Sequence, residues 1–259
     1  MIKFNEKVVD IKHFPDGTLL MKENSNIEPC HIYWYFDNNE ELFALVCLVR
    51  HLQDNGIKDI FLYMPYIPNA RQDRVKSKED IFTLKYFAEI INFLNFETVS
   101  VLDAHSSVSE ALIDRVVPNS PCKFIEIAIE KCEPDMLFFP DEGSQKRYSG
   151  LFEREYAFGI KKRDWATGKI LGLDVAGCVD EIKDSKILII DDICSRGGTF
   201  YHSAKKLKEL GAKDIYLYVT HCENTILEGD LLTSGLIKKV YTTNSIFRKE
   251  NEKIEVFEI

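Results

Sequence analysis

The chain has 259 residues, 45% hydrophobic and 29% charged, and a formal charge of −9 at pH 7. That length supports one large or two modest domains with cores of their own, and the acidic balance excludes a general nucleic-acid coat, which draws on clustered positive charge. No apolar run approaches the roughly 20 residues that cross a bilayer, and MIKFNEKVVDIKHFPDG lacks an apolar stretch of signal-peptide length, so no membrane association and a cytoplasmic location are expected. Cysteines at 30, 47, 122, 132, 178, 194 and 222 form no C-x-x-C pair and read as reduced packing residues.

Short apolar, β-branched and aromatic runs at 31–36, 59–64, 98–103, 135–140, 186–191, 214–219 and 238–243 predict buried strands. Helical spacing fills the intervals. Over 39–56, Leu42, Leu45, Val46, Val49 and Leu52 share one face and Gly56 is the stop; 77–96 and 199–214 behave alike, the latter ending at Gly211. Continuous apolar strands alternating with helices predict an α/β fold whose mainly parallel sheets are covered on both faces. A strand ending DAHS in the first half is echoed by one ending DDIC in the second, with a turn-like seam at 117–123. Two similar lobes are therefore expected, 1–118 and 119–245, with the tail 246–259 packing back on the first.

In open parallel sheets ligands lie beyond the carboxyl ends of the strands. There, PYIPNARQDR presents Arg71, Gln72, Asp73 and Arg74, either a solvated loop or a grip on a polyphosphate, since guanidinium pairs bidentately with phosphate oxygens. LDAHS places Asp103 and His105, and a strand-end histidine serves as phosphate donor or metal ligand when it is not simply structural. PDEGSQKRY sets Asp141 and Glu142 before Lys146 and Arg147, the surroundings of a Mg-nucleotide or a surface ion pair.

The most specific stretch is ILIIDDICSRGGTF, 187–200. Gly197, Gly198 and Thr199 precede a helix whose N–H groups can hold a phosphate, and Asp191 and Asp192 at the rim suit the vicinal hydroxyls of a sugar. A capped turn accounts for the glycines and Thr199 but not for two adjacent acids. Neither G-x-x-x-x-G-K-[ST] nor G-x-G-x-x-G occurs, so any nucleotide is held otherwise.

In order along the chain, FPDG (14–17), PYIPNARQDR, LDAHS, FPDEGSQKR and IIDDICSRGGT resemble the motifs of the ribose-phosphate pyrophosphokinase (phosphoribosyl pyrophosphate synthetase) family. The resemblance implies two phosphoribosyltransferase-like lobes and a Mg2+-dependent transfer of the β,γ-diphosphoryl group of ATP to the anomeric hydroxyl of ribose 5-phosphate, releasing AMP. It implies that Arg71, Gln72, Asp73 and Arg74 hold ATP, with Phe14 and Asp16 reaching adenine from a neighbouring subunit. His105 and Asp141 fall at the metal, His105 also among the catalytic residues, and Asp191, Asp192, Ser195, Arg196, Gly197, Gly198 and Thr199 take the ribose phosphate. Lys161 and Arg163 in GIKKRDW match the Lys-x-Arg of the family's mobile catalytic loop. Assembly as a homo-oligomer, a dimer or hexamer, is implied as well.

The chain departs from the family pattern in two places. The phosphate loop of the family reads Asp-Asp-x-x-Asp-Thr-Gly-Gly-Thr; here Ser195 replaces the third acid and Arg196 the first Thr. The loop is more open and carries a longer donor, suited to bridging two phosphates, so ADP-ribose stands beside ribose 5-phosphate as acceptor, as in phage-type relatives associated with NAD rebuilding. FPDG also arrives early, so the family's first strand and helix are expected to be absent or much reduced. A phosphoribosyltransferase would share only 189–199 with the family, and a non-catalytic synthetase partner would turn over no ATP.

Overall fold

The computed structural model describes residues 1–24, 29–163 and 170–259, the side chains of 161–163, 170 and 171 excepted. They divide into two units, Met1–Ser120 and Pro121–Ile259, each with its own central sheet.

The first unit runs β1 (Ile2–Phe4), β2 (Lys7–Val8), β3 (Ile11–His13), β4 (Leu19–Met21), β5 (Cys30–Trp34), α1 (Glu40–Asp54), β6 (Ile60–Tyr63), α2 (Thr83–Phe93), β7 (Thr98–Leu102), α3 (Ser107–Leu112) and β8 (Val116–Asn119). Its sheet has the order β2-β1-β5-β6-β7-β8, parallel from β5 to β8 and antiparallel at β1 and β2, while β3 and β4 form a separate hairpin. The apolar face of α1 buries Leu45, Val49 and Leu52, with Leu42 and Val46 packed at its margin. The helix stops as expected. Gly56 at φ +88° lets its N–H reach Gln53 O and that of Ile57 reach Leu52 O, the paired bonds of a left-handed C-terminal cap. Helix α2 begins at Thr83 rather than near 77, because the Asp80 carboxylate accepts from the N–H groups of Lys76 and Ser77 and closes a turn ahead of it.

The second unit contains α4 (Cys122–Cys132), β9 (Met136–Phe139), α5 (Glu142–Tyr148), β10 (Tyr156–Arg163), β11 (Ile170–Gly177), β12 (Lys186–Cys194), α6 (Gly198–Glu209), β13 (Asp214–Cys222), β14 (Val240–Thr243) and β15 (Ile254–Phe257). The sheet order is β11-β10-β9-β12-β13-β14-β15, parallel throughout except for β11. Ile187 to Ile190 are fully buried, as a central parallel strand covered on both faces requires. Gly211, at φ +94°, ends α6 with the same paired bonds as Gly56.

Three expectations change. The tail is part of the second unit: Ile254–Phe257 pairs in parallel with β14, in the second sheet, burying Ile254 and Phe257. Part of the expected seam is strand β8, in which Pro118 is tolerated because β8 is an edge strand. The stretch around Lys161 and Arg163, expected as a loop, is the second half of β10, with Lys161 opposite Leu173 of β11. At the front, a three-residue strand β1 pairs with β5, and among the described residues no helix precedes α1.

Candidate active site

In the first unit, β6 and β7 are parallel neighbours, so the loops that follow their carboxyl ends lie side by side. The loop after β6 carries Arg71, Gln72, Asp73 and Arg74; the loop after β7 carries Asp103 to Ser106. Asp73 is the link. Its Oδ1 and Oδ2 accept from Nε and Nη2 of Arg74 at 2.7 and 2.9 Å, and Ser106 Oγ donates to Oδ2 at 2.7 Å. The Arg74 guanidinium, helped by Ser106 and opposed by burial, holds the Asp73 carboxyl down to about 2. The side chain read as a nucleotide contact is thus largely buried and committed to its neighbours, while Arg71 and Arg74 stay exposed. Gln72 is held at the loop by Thr83, whose hydroxyl donates to Oε1 at 2.9 Å.

His105 sits half-buried one residue before Ser106, which caps α3 by accepting from Val108 N–H at 3.2 Å. Asp103, nearly buried, adopts φ +46° at the end of β7 and donates its N–H to Asn119 O at 3.0 Å. A left-handed non-glycine residue there is a strained conformation held by the sheet, of the kind found where a chain turns sharply at a site. Phe14 and Asp16 lie on the turn of the β3–β4 hairpin. Phe14 is half-exposed, and Asp16 Oδ1 accepts from both N–H and Oγ1 of Thr18, bonds that lower its pKa. Thr18, where the family's loop closes with Glu, therefore shapes the turn.

In the second unit, Asp141 is the N-cap of α5, Oδ1 accepting from Gly143 and Ser144 N–H at 3.0 and 3.1 Å. Asp191 and Asp192 follow the fully buried run Ile187–Ile190 of β12. Burial first, then the charges of Asp192 and Asp141, raise the Asp191 carboxyl well above the usual carboxylate range. Asp192, only 2% exposed, faces Nη1 of Arg147 at 3.1 Å, and its N–H donates to Asp191 Oδ1 at 3.0 Å.

The phosphate loop follows. Gly197 enters α6 at φ +80°, and a Cβ there would meet Leu231 at 2.8 Å; nothing lies within 4 Å of the Cβ direction of Gly198, so the helix entrance is open. Ser195 and Arg196 precede it. Arg196 is largely exposed and donates from Nη2 to Glu228 Oε2 at 2.9 Å, while Gly229 packs so closely under Arg196 O that a Cβ would lie 1.9 Å from it. Neither Ser106 nor Glu228 was picked out from the sequence, and Arg147 was read there beside Asp141 and Glu142, not as the partner of Asp192. Ser106 carried the one local signal, a serine opening a helix; Glu228 pairs across 32 positions and carried none. The side chains of Lys161 and Arg163 lie outside the described residues.

Among the described residues no cluster of three or more His, Cys, Asp or Glu could hold a metal by protein ligands alone, and no helix is long and apolar enough to cross a membrane.

Each unit thus has a mainly parallel sheet with functional loops at its strand ends, the second with acids and a glycine cradle there. A family model described as the N-terminal domain of ribose phosphate pyrophosphokinase matches residues 2–94. The ribose-phosphate pyrophosphokinase of Thermococcus kodakarensis is 28% identical over 247 residues, 92% of this chain and 85% of that protein. The Bacillus subtilis protein of the same name is 28% identical over 259 residues, 95% and 80% respectively. The crystal structure of phosphoribosylpyrophosphate synthetase from Mycobacterium smegmatis superposes with a TM-score of 0.80 at 20% identity, covering 97% of this chain and 86% of that one, a match of fold. Over most of its length the chain is similar to ribose-phosphate pyrophosphokinases, and residues 2–94 match the N-terminal domain of that family.

Proposed function

We propose that the protein transfers the β,γ-diphosphoryl group of ATP to the anomeric hydroxyl of ribose 5-phosphate, giving phosphoribosyl pyrophosphate and AMP. The observation that carries this reading is the β12–α6 junction, where Asp191 and Asp192 precede an open, N–H-lined helix entrance at Gly198. Asp191 accepts from the ribose hydroxyls, held from behind by the N–H of the buried Asp192, and the first turn of α6 with Thr199 takes the 5-phosphate. Arg71, Gln72 and Arg74, set beside His105 by the Asp73–Ser106 link, hold the triphosphate. The anomeric oxygen attacks the β-phosphorus, the bond from that phosphorus to the oxygen bridging to the α-phosphate breaks, AMP leaves, and the hydroxyl proton is lost to solvent. His105 and Asp141, each within its own unit, would offer ligands to Mg2+, which would neutralise phosphate charge. Lys161 and Arg163 supply cations for the charge that develops in transfer, the contribution a phosphoryl-type reaction most needs. Phe14 and Asp16, on an exposed hairpin, serve adenine of a neighbouring protomer, so the active form is a homo-oligomer.

A second reading is favoured by Arg196, which replaces a family Thr and reaches out from the loop to Glu228. On that reading the acceptor is ADP-ribose and Arg196 bridges its two phosphates. Incubating the protein with Mg-ATP and either acceptor, with products identified by mass spectrometry, separates the two. AMP with ribose 5-phosphate supports the first, AMP only with ADP-ribose the second, and AMP with neither removes both. Lys161→Ala should lower kcat by at least about 100-fold with little change in acceptor binding, since its contact strengthens in the transition state.

A further inference from the structure

We propose that Arg147 is a positioning residue for the sugar acceptor, acting through Asp192. The proposal rests on the reading of Asp191 to Thr199 as the acceptor site. Adjacent residues of a strand point to opposite faces, so Asp191 and Asp192 do not have equivalent surroundings. Asp192 is almost completely buried, and a carboxylate in that position needs a countercharge. Arg147 is that countercharge, Nη1 lying 3.1 Å from Oδ2. The arginine is itself held. Its Nη1 donates to Tyr148 OH at 3.3 Å, its guanidinium carbon lies 5.4 Å from the Tyr148 ring centroid, and the fully buried Tyr148 stacks on Phe139 at 6.5 Å between centroids.

Contacts therefore run from β9 through Tyr148 and Arg147 to Asp192, and the Asp192 N–H continues them to Asp191. A long arginine on a solvent-facing helix would ordinarily sample several rotamers; this one is confined by a ring on one side and a buried carboxylate on the other. The acid pair is fixed by α5, an element that contributes no residue to the phosphate loop. Placement of the reacting hydroxyl within a fraction of an ångström depends on such supporting contacts.

The test compares Arg147→Met, Arg147→Lys and Tyr148→Phe with the wild-type protein, measuring ribose 5-phosphate and ADP-ribose binding by calorimetry and KM for acceptor and for ATP. Arg147→Met should weaken acceptor binding and raise acceptor KM by about tenfold or more, leaving KM for ATP within about twofold. Arg147→Lys should recover part of the loss, because it returns the charge without the planar fork. Tyr148→Phe, which keeps the ring, should move the same constant in the same direction by a smaller factor, and it carries the test with Arg147→Lys if Arg147→Met does not fold. Acceptor constants unchanged in folded Arg147→Met, or raised equally with that for ATP, overturn the positioning role. Wild-type protein that binds neither acceptor overturns the site reading instead.

Discussion

Ser106 Oγ donates to Asp73 Oδ2 at 2.7 Å, joining the loops that follow two neighbouring strands of the first sheet. The same hydroxyl oxygen caps α3. Ser106→Ala removes both contacts, costing about 1 kcal/mol of stability for the cap and letting Asp73, with Arg74, shift relative to His105. KM for ATP should rise several-fold while acceptor binding is retained. Steady-state kinetics against each substrate in turn check this; an unchanged KM for ATP would show that the link plays no part in nucleotide binding.

Two glycines of the phosphate loop region should respond in opposite ways. A Cβ on Gly229 would lie 1.9 Å from the carbonyl oxygen of Arg196, a backbone atom that cannot move without moving the loop. Gly229→Ala is expected to lose about 1–3 kcal/mol of stability and to weaken acceptor binding. Gly198→Ala meets nothing within 4 Å and stands in the first turn of α6, so stability should hold or rise by about 0.5–1 kcal/mol. The new methyl group occupies the open entrance, so ribose 5-phosphate affinity should fall without loss of fold. Thermal unfolding paired with calorimetry distinguishes the two; equal affinity in Gly198→Ala and wild type would remove the phosphate from that position.

What could be read along the chain is what depends on local pattern. The seven apolar runs became strands β5, β6, β7, β9, β12, β13 and β14, and the two glycine stops ended their helices, because burial on both faces and a left-handed cap each leave a local sequence signature. The β10–β11 hairpin leaves none: Gly159, Lys161, Lys162, Gly172 and Asp174 interrupt any apolar run, and it is their pairing that makes them strands. The tail strand has four residues and takes its place only by docking on β14. At the site, the types of residue were legible and their partners were not. Asp73 finds Ser106 33 positions away, and nothing near Asp73 announces that its carboxylate will be turned inward.

Arg196 distinguishes the two acceptors. If it bridges two phosphates, Arg196→Thr, which restores the family residue, should lower kcat/KM for ADP-ribose by at least about tenfold and leave that for ribose 5-phosphate nearly unchanged, because a lost charge-assisted bond costs roughly 1.5–3 kcal/mol. Glu228→Gln, which removes the competing carboxylate 2.9 Å from Nη2, should shift ADP-ribose affinity the other way by a smaller factor, as both side chains are exposed. Competition assays with both acceptors present read the ratio directly. A ratio unaltered by Arg196→Thr would assign Arg196 to ordinary phosphate contact or to the surface.

Asp73 also makes stability depend on pH in a defined window. Its folded pKa, held at about 2 chiefly by Arg74, lies below the roughly 3.9 of an unfolded aspartate, so the unfolded chain binds the proton more readily. The contribution is therefore complete above about pH 4 and is lost as pH falls through that value toward 2. Arg74 is 65% exposed, so solvent screening reduces the effect to about 1 kcal/mol. Asp73→Asn has no carboxyl to protonate and should lack this component. Urea unfolding of both proteins between pH 5 and pH 3 should show the wild-type advantage shrinking as the acid titrates. Parallel curves over that range would mean that the Asp73 carboxylate gains nothing from Arg74 in the folded state, and that the Arg74 guanidinium is positioned by some other contact.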